Sequence, residues 1–174
     1  MIKAIYATLD RNAQATLPTL ARLTFAAVLC GYYWNSAMTK LDGFGPSLGA
    51  FAQILPRRIE AAGYDASALG LFDHLIVIAG TWAEFILPAL IVLGLLTRPA
   101  ALGMIGFIIV QTMTDLWGHR LIDTPDTLGR WFDRIPDSAI ADQRLLWVML
   151  LTVPLLSGAG PLSLDRLFSQ ARRS

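Results

Sequence analysis

Ionisable side chains inside strongly apolar stretches are the residues of this sequence with the clearest potential for chemistry. Glu84 is the only charged residue between Leu75 and Leu96. An ionised side chain at the centre of a membrane costs about 2.5–3.5 kcal/mol on insertion scales, so it must face the protein interior and find a partner. A carboxylate in that setting can accept or relay a proton, and a nearby cation such as Lys40 would tune its proton affinity.

Further polar residues are expected beside Glu84. Gln111 lies about as far from Arg98 as Glu84 does, and Asp115 and His119 follow it at helical spacing on the same face. The predicted ligand or proton pocket comprises Glu84, Lys40, Asn35, Gln111, Asp115 and His119. The alternative is a structural role, in which Glu84 and Lys40 form an ion pair that fixes the order of the helices.

Other kinds of site find no support in the sequence. No pattern for nucleophilic catalysis, for a zinc protease or for phosphate binding is found, so we predict no catalytic residue. His74, His119 and Asp115 lack a metal-ligand spacing, and we predict no metal site. Cys30 is the only cysteine and cannot form an internal disulfide. Four tryptophans favour an interfacial belt over a ligand cage, namely Trp34, Trp82, Trp117 and Trp147.

The elements that must position these residues are four apolar segments, because crossing a bilayer takes about 20 residues. They are Leu20–Leu41, Leu75–Leu96, Pro99–Trp117 and Leu145–Leu162. Charged residues make up 16% of the chain, whereas soluble domains have about 25%. We therefore predict an all-α fold, an integral membrane four-helix bundle that forms a single transmembrane domain over residues 1–174.

The connections between the segments carry their own signals. A tight turn at Thr97-Arg98 is predicted between the second and third spans, with a proline directly after it. Short amphipathic helices are predicted in the two outer loops, at Ser47–Gly63 with an interruption at Pro56, and at Thr124–Pro136. The Gly43-Phe44-Gly45 sequence is interpreted as a turn.

Four spans put both termini on the same side of the membrane. Lys and Arg divide evenly between the two sides, but acidic residues concentrate in the long loops, so we place the termini in the cytoplasm. Arg22 and Lys40 are expected to extend to the headgroups from the ends of the first span. Ser163–Arg173 is predicted to form a short helix whose basic end suits an anionic inner leaflet. The N-terminal segment is not expected to be a cleaved signal peptide.

Three stretches of the sequence resemble the DoxX family of small bacterial and archaeal membrane proteins. They are Leu20-Ala21-Arg22-Leu23 through Lys40-Leu41, Glu84 followed by Leu93-Gly94-Leu95-Leu96-Thr97-Arg98-Pro99, and Gly158-Ala159-Gly160-Pro161-Leu162-Ser163-Leu164-Asp165-Arg166. Where the family usually has Gly shortly before the Lys, this chain has Ser36-Ala37, and its segment 118–144 is longer than in compact members. The resemblance implies a four-helix membrane bundle whose family-like polar residues are Lys40, Glu84, Arg98, Ser163, Asp165 and Arg166.

The resemblance also implies a functional setting. The family takes its name from association with quinol oxidases, and relatives belong to thiosulfate:quinone oxidoreductases. We therefore expect an accessory subunit of a quinone-linked redox system in a bacterial inner membrane. It would have no intrinsic cofactor and no enzymatic activity of its own, and it would bind a quinone or another lipid beside Glu84.

Two other functions remain as alternatives. One is a non-catalytic assembly or anchoring protein, and the other is a small dimeric transporter, which the single polar layer and the lack of an internal repeat disfavour. The expected partners are the lipid bilayer and either a partner subunit or a second copy of the chain. Nucleic acid is not expected, because the net charge is only +1.

Overall fold

The chain is an all-α membrane protein. A computed structural model describes residues 2–171, without the side chains of Ala4 and Arg11. The longer helices are α1 (Ile2–Phe25), α2 (Gly31–Thr39), α5 (Leu71–Leu93), α6 (Thr97–Met113) and α8 (Ala141–Ser157). The shorter helices are α3 (Leu48–Ile54), α4 (Pro56–Ala61), α7 (Pro125–Leu128) and α9 (Leu164–Ala171). A two-residue hairpin pairs β1 (Leu41–Asp42) with β2 (Gly45–Pro46), which confirms the turn interpreted at Gly43-Phe44.

Three helical runs in the described chain are long and apolar enough to cross a membrane. They are Ile5–Thr39 with 35 residues, Leu71–Leu93 with 23 and Thr97–Gly118 with 22. The predicted fourth span corresponds to α8, which has 17 residues and ends at Ser157 rather than at Leu162. Many large apolar side chains of these helices are exposed, which suits a surface solvated by lipid tails.

Two of the long runs contain π-helical segments. Ala26–Cys30 joins α1 to α2, so the first run continues without a break through Thr39. Thr114–Gly118 continues α6. Segments of this kind insert an extra residue into a helical turn and are frequent at functional sites. Tyr32 and Tyr33 follow the first segment closely, and Asp115 lies within the second.

The predicted tight connection between the second and third spans is present, slightly earlier than expected. Helix α5 ends at Leu93 because Gly94 adopts a left-handed conformation with φ of 66°, and Leu96 also has positive φ. Helix α6 then begins at Thr97, which places Pro99 in its first turn. The turn is therefore Gly94–Leu96 rather than Thr97-Arg98.

The segment between α2 and α5, which we predicted to be an outer loop, contains the two predicted helices. Ser47 caps α3 by accepting a hydrogen bond from the Ala50 backbone N–H, and Pro56 begins α4. These helices supply most of a core that packs on α5, formed by Ala50, Phe51, Ile59 and Val77. Gly80 of α5 leaves room for this packing, since a Cβ there would lie 3.1 Å from Cδ1 of Ile54.

The second outer loop departs from the prediction. Helix α7 begins at Pro125 as expected but ends at Leu128, without a side-chain cap from Thr124. Gly129 then turns the chain with φ of 72°, and Ser138 occupies the space where its Cβ would lie. The predicted amphipathic helix through Pro136 was therefore wrong, because this turn takes Trp131, Phe132 and Ile135 out of any helical repeat.

The C-terminal helix α9 forms as predicted over Leu164–Ala171. Ser163 accepts a hydrogen bond from the Arg166 backbone N–H at 3.3 Å and so caps its first turn. The predicted basic end, Arg172 and Arg173, lies outside the described residues.

The chain divides into two compact units. One comprises Met1–Gly31, Leu87–Ile105 and Met149–Ser174, and the other comprises Tyr32–Ile86 and Gly106–Val148. Buried apolar side chains of the first unit include Phe25, Leu29, Ile91, Met104 and Leu151. The second unit holds the α3–α4–α5 core and the buried ring of Tyr33. The prediction of a single transmembrane domain stays a prediction.

Candidate functional site

A buried ion pair between Lys40 and Glu84 is the first feature of the candidate site. Nζ of Lys40 lies 2.8 Å from Oε2 and 3.0 Å from Oε1 of Glu84. The two residues are only 3% and 5% exposed. Lys40 directly follows α2, and Glu84 lies within α5. The sequence-based expectation that Lys40 reaches the headgroups was therefore wrong, because its ammonium turns inward to the carboxylate.

Ser36 completes the environment of the ammonium. Its Oγ lies 2.6 Å from Nζ of Lys40, and its carbonyl oxygen lies 3.3 Å from the same atom. The Ser36 side chain therefore supplies a hydrogen-bond acceptor for the buried ammonium. Thr81 does not join the site, since its hydroxyl donates to the Val77 carbonyl of its own helix at 2.8 Å.

A chain of hydrogen bonds joins Gln111 of α6 to two tyrosines of α2. The Tyr33 hydroxyl donates to Oε1 of Gln111 at 3.3 Å, and Nε2 of Gln111 donates to the Tyr32 hydroxyl at 3.2 Å. Tyr33 is fully buried. Its hydrogen bond to Gln111 therefore joins α2 to α6 inside the protein.

Aromatic rings surround the tyrosine pair. The Trp147 ring centroid lies 5.5 Å from that of Tyr32 and 6.3 Å from that of Tyr33. Phe107 lies 5.9 Å from Tyr33 in an edge-to-face arrangement. Pairs of this geometry are mutually favourable. Trp147 is thus half-buried against the two tyrosines.

Asp115 pairs with Arg144 at the start of α8. Nη2 of Arg144 donates to Oδ2 of Asp115 in a short hydrogen bond. Arg144 is 9% exposed, yet its Nε and Nη1 atoms find no acceptor in the part of the chain that the structure describes. The pocket predicted from the sequence did not include Arg144. The opposite charges of Arg144 and Asp115 are the feature of the sequence that could have indicated this pair.

The structure does not bring His119 and Asn35, which were also predicted for the pocket, into this buried group. His119 is exposed, and its Nε2 lies 3.0 Å from the Gln53 carbonyl oxygen. Asn35 is also exposed, on a spanning helix. Gln111 contacts the tyrosines rather than Glu84. Within residues 2–171, no cluster of three or more His, Cys, Asp or Glu side chains could hold a metal ion.

Arg22 is buried in the other unit, where it joins the three family-like stretches of sequence. Its guanidinium donates to the carbonyl oxygens of Ile91 and Val92 at 2.8 and 2.7 Å, and to those of Ala159 and Leu162 at 2.6 and 2.7 Å. The guanidinium thus bonds the last turn of α5 to the segment that precedes α9. The expectation that Arg22 reaches the headgroups was wrong for this reason.

Asp165 holds the turn before α6. Its carboxylate accepts hydrogen bonds from the backbone N–H groups of Leu96 and Thr97 at 2.7 and 2.9 Å, which caps the helix. Burial alone would raise the pKa of Asp165. The hydrogen bonds from Thr97 and Leu96 and the charge of Arg22 outweigh burial and keep the pKa below its usual value.

The other family-like residues near this turn have local roles. Ser163 donates to the Gly160 carbonyl oxygen at 2.8 Å, and Nη2 of the exposed Arg98 donates to the Leu156 carbonyl oxygen at 3.2 Å. Arg166 is exposed and contributes its backbone N–H to the cap of α9. The segments of these stretches that belong to this unit therefore form a structural connection, whereas Lys40 and Glu84 belong to the other unit.

Comparison with known proteins gives one result. Residues 17–119 match the DoxX family, a stretch that includes Arg22, Lys40, Glu84 and Asp115. No solved structure and no protein with a curated description shows significant similarity to the chain.

Proposed function

Because the chain belongs to the DoxX family, we propose that it is an accessory membrane subunit of a quinone-linked redox system, and that it holds a quinone beside its buried polar network. A partner subunit carries the redox centre in this proposal. The chain has no redox cofactor of its own and acts by binding and positioning the quinone and by exchanging protons with it.

The observation that carries the proposal is the buried polar network around Tyr33. Two ion pairs, Lys40–Glu84 and Asp115–Arg144, belong to the same compact unit as the hydrogen bonds of Gln111 with Tyr32 and Tyr33. Ionisable side chains are costly inside a membrane and mark ligand or proton pathways there. One ion pair would be enough to fix the order of the helices, so a network of this size favours a functional role.

Ser36 supports a proton-exchanging role for Glu84. If Glu84 takes up a proton, the attraction between its carboxyl group and Lys40 weakens. The ammonium then keeps the Ser36 hydroxyl and carbonyl oxygens as acceptors, at 2.6 and 3.3 Å. The buried cation is therefore never without a partner, and this lowers the cost of protonating Glu84.

The proposed location is a bacterial inner membrane, with both termini in the cytoplasm. The spanning helices support a bilayer environment. The concentration of acidic residues in the long loops supports the orientation. A partner subunit or a second copy of the chain would contact the helices from within the membrane, and the exposed Asn35 offers a polar group for such a contact.

The test is extraction of bound lipid from protein purified in a mild detergent, with quinone quantified against protein. Wild-type protein should retain quinone and Glu84→Gln should retain less, because the substitution removes the charge that balances Lys40. Glu60→Gln is the matched control, since Glu60 is the other glutamate of the chain and is exposed on α4. Absence of quinone from the wild type, or equal quinone in Glu84→Gln, would overturn the ligand role.

A second candidate is an assembly or anchoring protein, which one observation favours. The second outer loop exposes three large apolar side chains, Trp131, Phe132 and Ile135. Exposed apolar groups clustered in one loop often mark a contact with another protein. For this function, deletion of residues 124–136 should abolish co-purification of a partner while leaving quinone retention unchanged. Unchanged co-purification would exclude this loop as the contact.

A further inference from the structure

Arg144 is the least satisfied ionisable side chain of the buried network. Nη2 donates to Asp115, but Nε and Nη1 have no acceptor within the described residues. The side chain is about nine-tenths buried. Buried donors almost always find a partner in native structures, and an exception needs an explanation. These two donors therefore need an acceptor that the described residues do not supply, either an ordered water or an oxygen atom of a bound molecule.

The charges of the network indicate what kind of oxygen this is. Asp115 already balances Arg144, and Glu84 already balances Lys40. A further anion would be an uncompensated charge in a site of low polarity, which is strongly unfavourable. A carbonyl oxygen accepts hydrogen bonds without bringing a charge. The vacant donors therefore favour a neutral carbonyl over a carboxylate or phosphate group.

The surrounding side chains suit a flat ring. Trp147 lies one helical turn after Arg144 on α8, so the two share a face. Its ring packs beside Tyr32, which is 46% exposed on a spanning helix. An exposed residue of a spanning helix contacts lipid, so a ligand dissolved in the bilayer can reach Tyr32 directly. The aromatic surface and the vacant donors are thus neighbours.

We propose that Arg144 donates hydrogen bonds from Nε and Nη1 to a carbonyl oxygen of a quinone headgroup, whose ring packs against Tyr32 and Trp147. This inference rests on the proposed function and locates the headgroup at Arg144. Asp115 is a positioning residue, since it holds the guanidinium through Nη2. Protein atoms enclose Nε and Nη1, so the quinone oxygen reaches them when neighbouring side chains move aside.

The experiment titrates purified protein in detergent with a short-chain benzoquinone and follows quenching of tryptophan fluorescence. Arg144→Lys keeps the charge opposite Asp115 but loses the planar set of donors, so the dissociation constant should rise by about tenfold or more. Arg58→Lys is the matched control, because Arg58 also pairs with an aspartate in this unit but is largely exposed. Its affinity should equal that of the wild type.

A second variant covers the case in which Arg144→Lys does not fold. Tyr32→Leu removes part of the proposed ring contact at a half-exposed position and should weaken binding several-fold. Inorganic phosphate should not compete with the quinone. Phosphate competition that depends on Arg144 would overturn the assignment of a neutral carbonyl.

The outcomes separate the two proposals. If wild-type protein binds no quinone, both the proposed function and this inference fail. If wild-type, Arg144→Lys and Tyr32→Leu proteins all bind with equal affinity, the location at Arg144 is wrong while the proposed function stands. Weakened binding in both variants with an unchanged Arg58→Lys control supports the location.

Discussion

Removal of Lys40 should destabilise the protein far more than removal of the whole ion pair. In Lys40→Met, both oxygens of Glu84 lose their partner while the carboxyl group stays 5% exposed. Removing one partner of a buried ion pair lowers the free energy of unfolding by about 3–5 kcal/mol. Replacing both residues with methionine leaves no unpaired charge and fills a similar volume, so the double variant should lie within about 1–2 kcal/mol of the wild type.

The assay is reversible unfolding by a denaturing detergent in mixed micelles, followed by the fluorescence of the five tryptophans. Arg57→Met serves as the control, because Arg57 is exposed on α4 and its loss should cost less than about 1 kcal/mol. The reasoning is refuted if Lys40→Met also costs less than about 1 kcal/mol, or if the two methionine substitutions are simply additive. Either result would mean that the pair is solvated in the native protein.

Three further predictions follow from individual contacts. Gly94→Ala should lower the free energy of unfolding by more than about 2 kcal/mol, because φ of Gly94 is 66° and a Cβ there would lie 2.6 Å from Cζ of Arg22. A melting temperature equal to that of the wild type would contradict this. Ser36→Ala should lower the free energy of unfolding by about 1 kcal/mol, because the hydrogen bond to Lys40 is lost. The same mixed-micelle assay measures this change. An unchanged free energy of unfolding would show that water replaces the hydroxyl. The pKa of Asp165 is lower in the folded protein than in the unfolded chain, where it is about 3.9. The ionised carboxylate therefore contributes its full stabilisation above about pH 3.9, and this stabilisation is lost as the pH falls through the pKa of the folded protein. Melting temperatures measured at decreasing pH should therefore fall less in Asp165→Asn than in the wild type, and parallel curves would argue against this role.

The spanning helices could be predicted because a bilayer restricts what a sequence can do. Long apolar segments must be helical there, and a charge such as Glu84 must turn inward to a partner. The caps at Ser47 and Ser163 were also predictable, because a capping side chain acts within the first turn of its own helix. These features depend on short-range rules or on the solvent.

Other features depend on contacts between distant segments, which periodicity does not reveal. Arg22 was misplaced because its acceptors are backbone carbonyls, and every residue type carries one of these. Arg144 was omitted because its partner Asp115 lies 29 residues away on another helix. The helix predicted beyond Leu128 failed because the turn at Gly129 packs against Ser138, which is a tertiary contact. The exposed position of Asn35 likewise depends on how the first helical run is rotated.

The contacts of Arg22 have a consequence for biogenesis. Two of the four carbonyls that receive its hydrogen bonds belong to residues 137 and 140 positions later in the chain. When the first helix leaves the ribosome and enters the membrane, the residues that will satisfy its guanidinium have not been translated. Water or lipid headgroups must solvate Arg22 during that interval. Closure of the unit that contains Arg22 is therefore a late event, which waits for translation of residues 159–162.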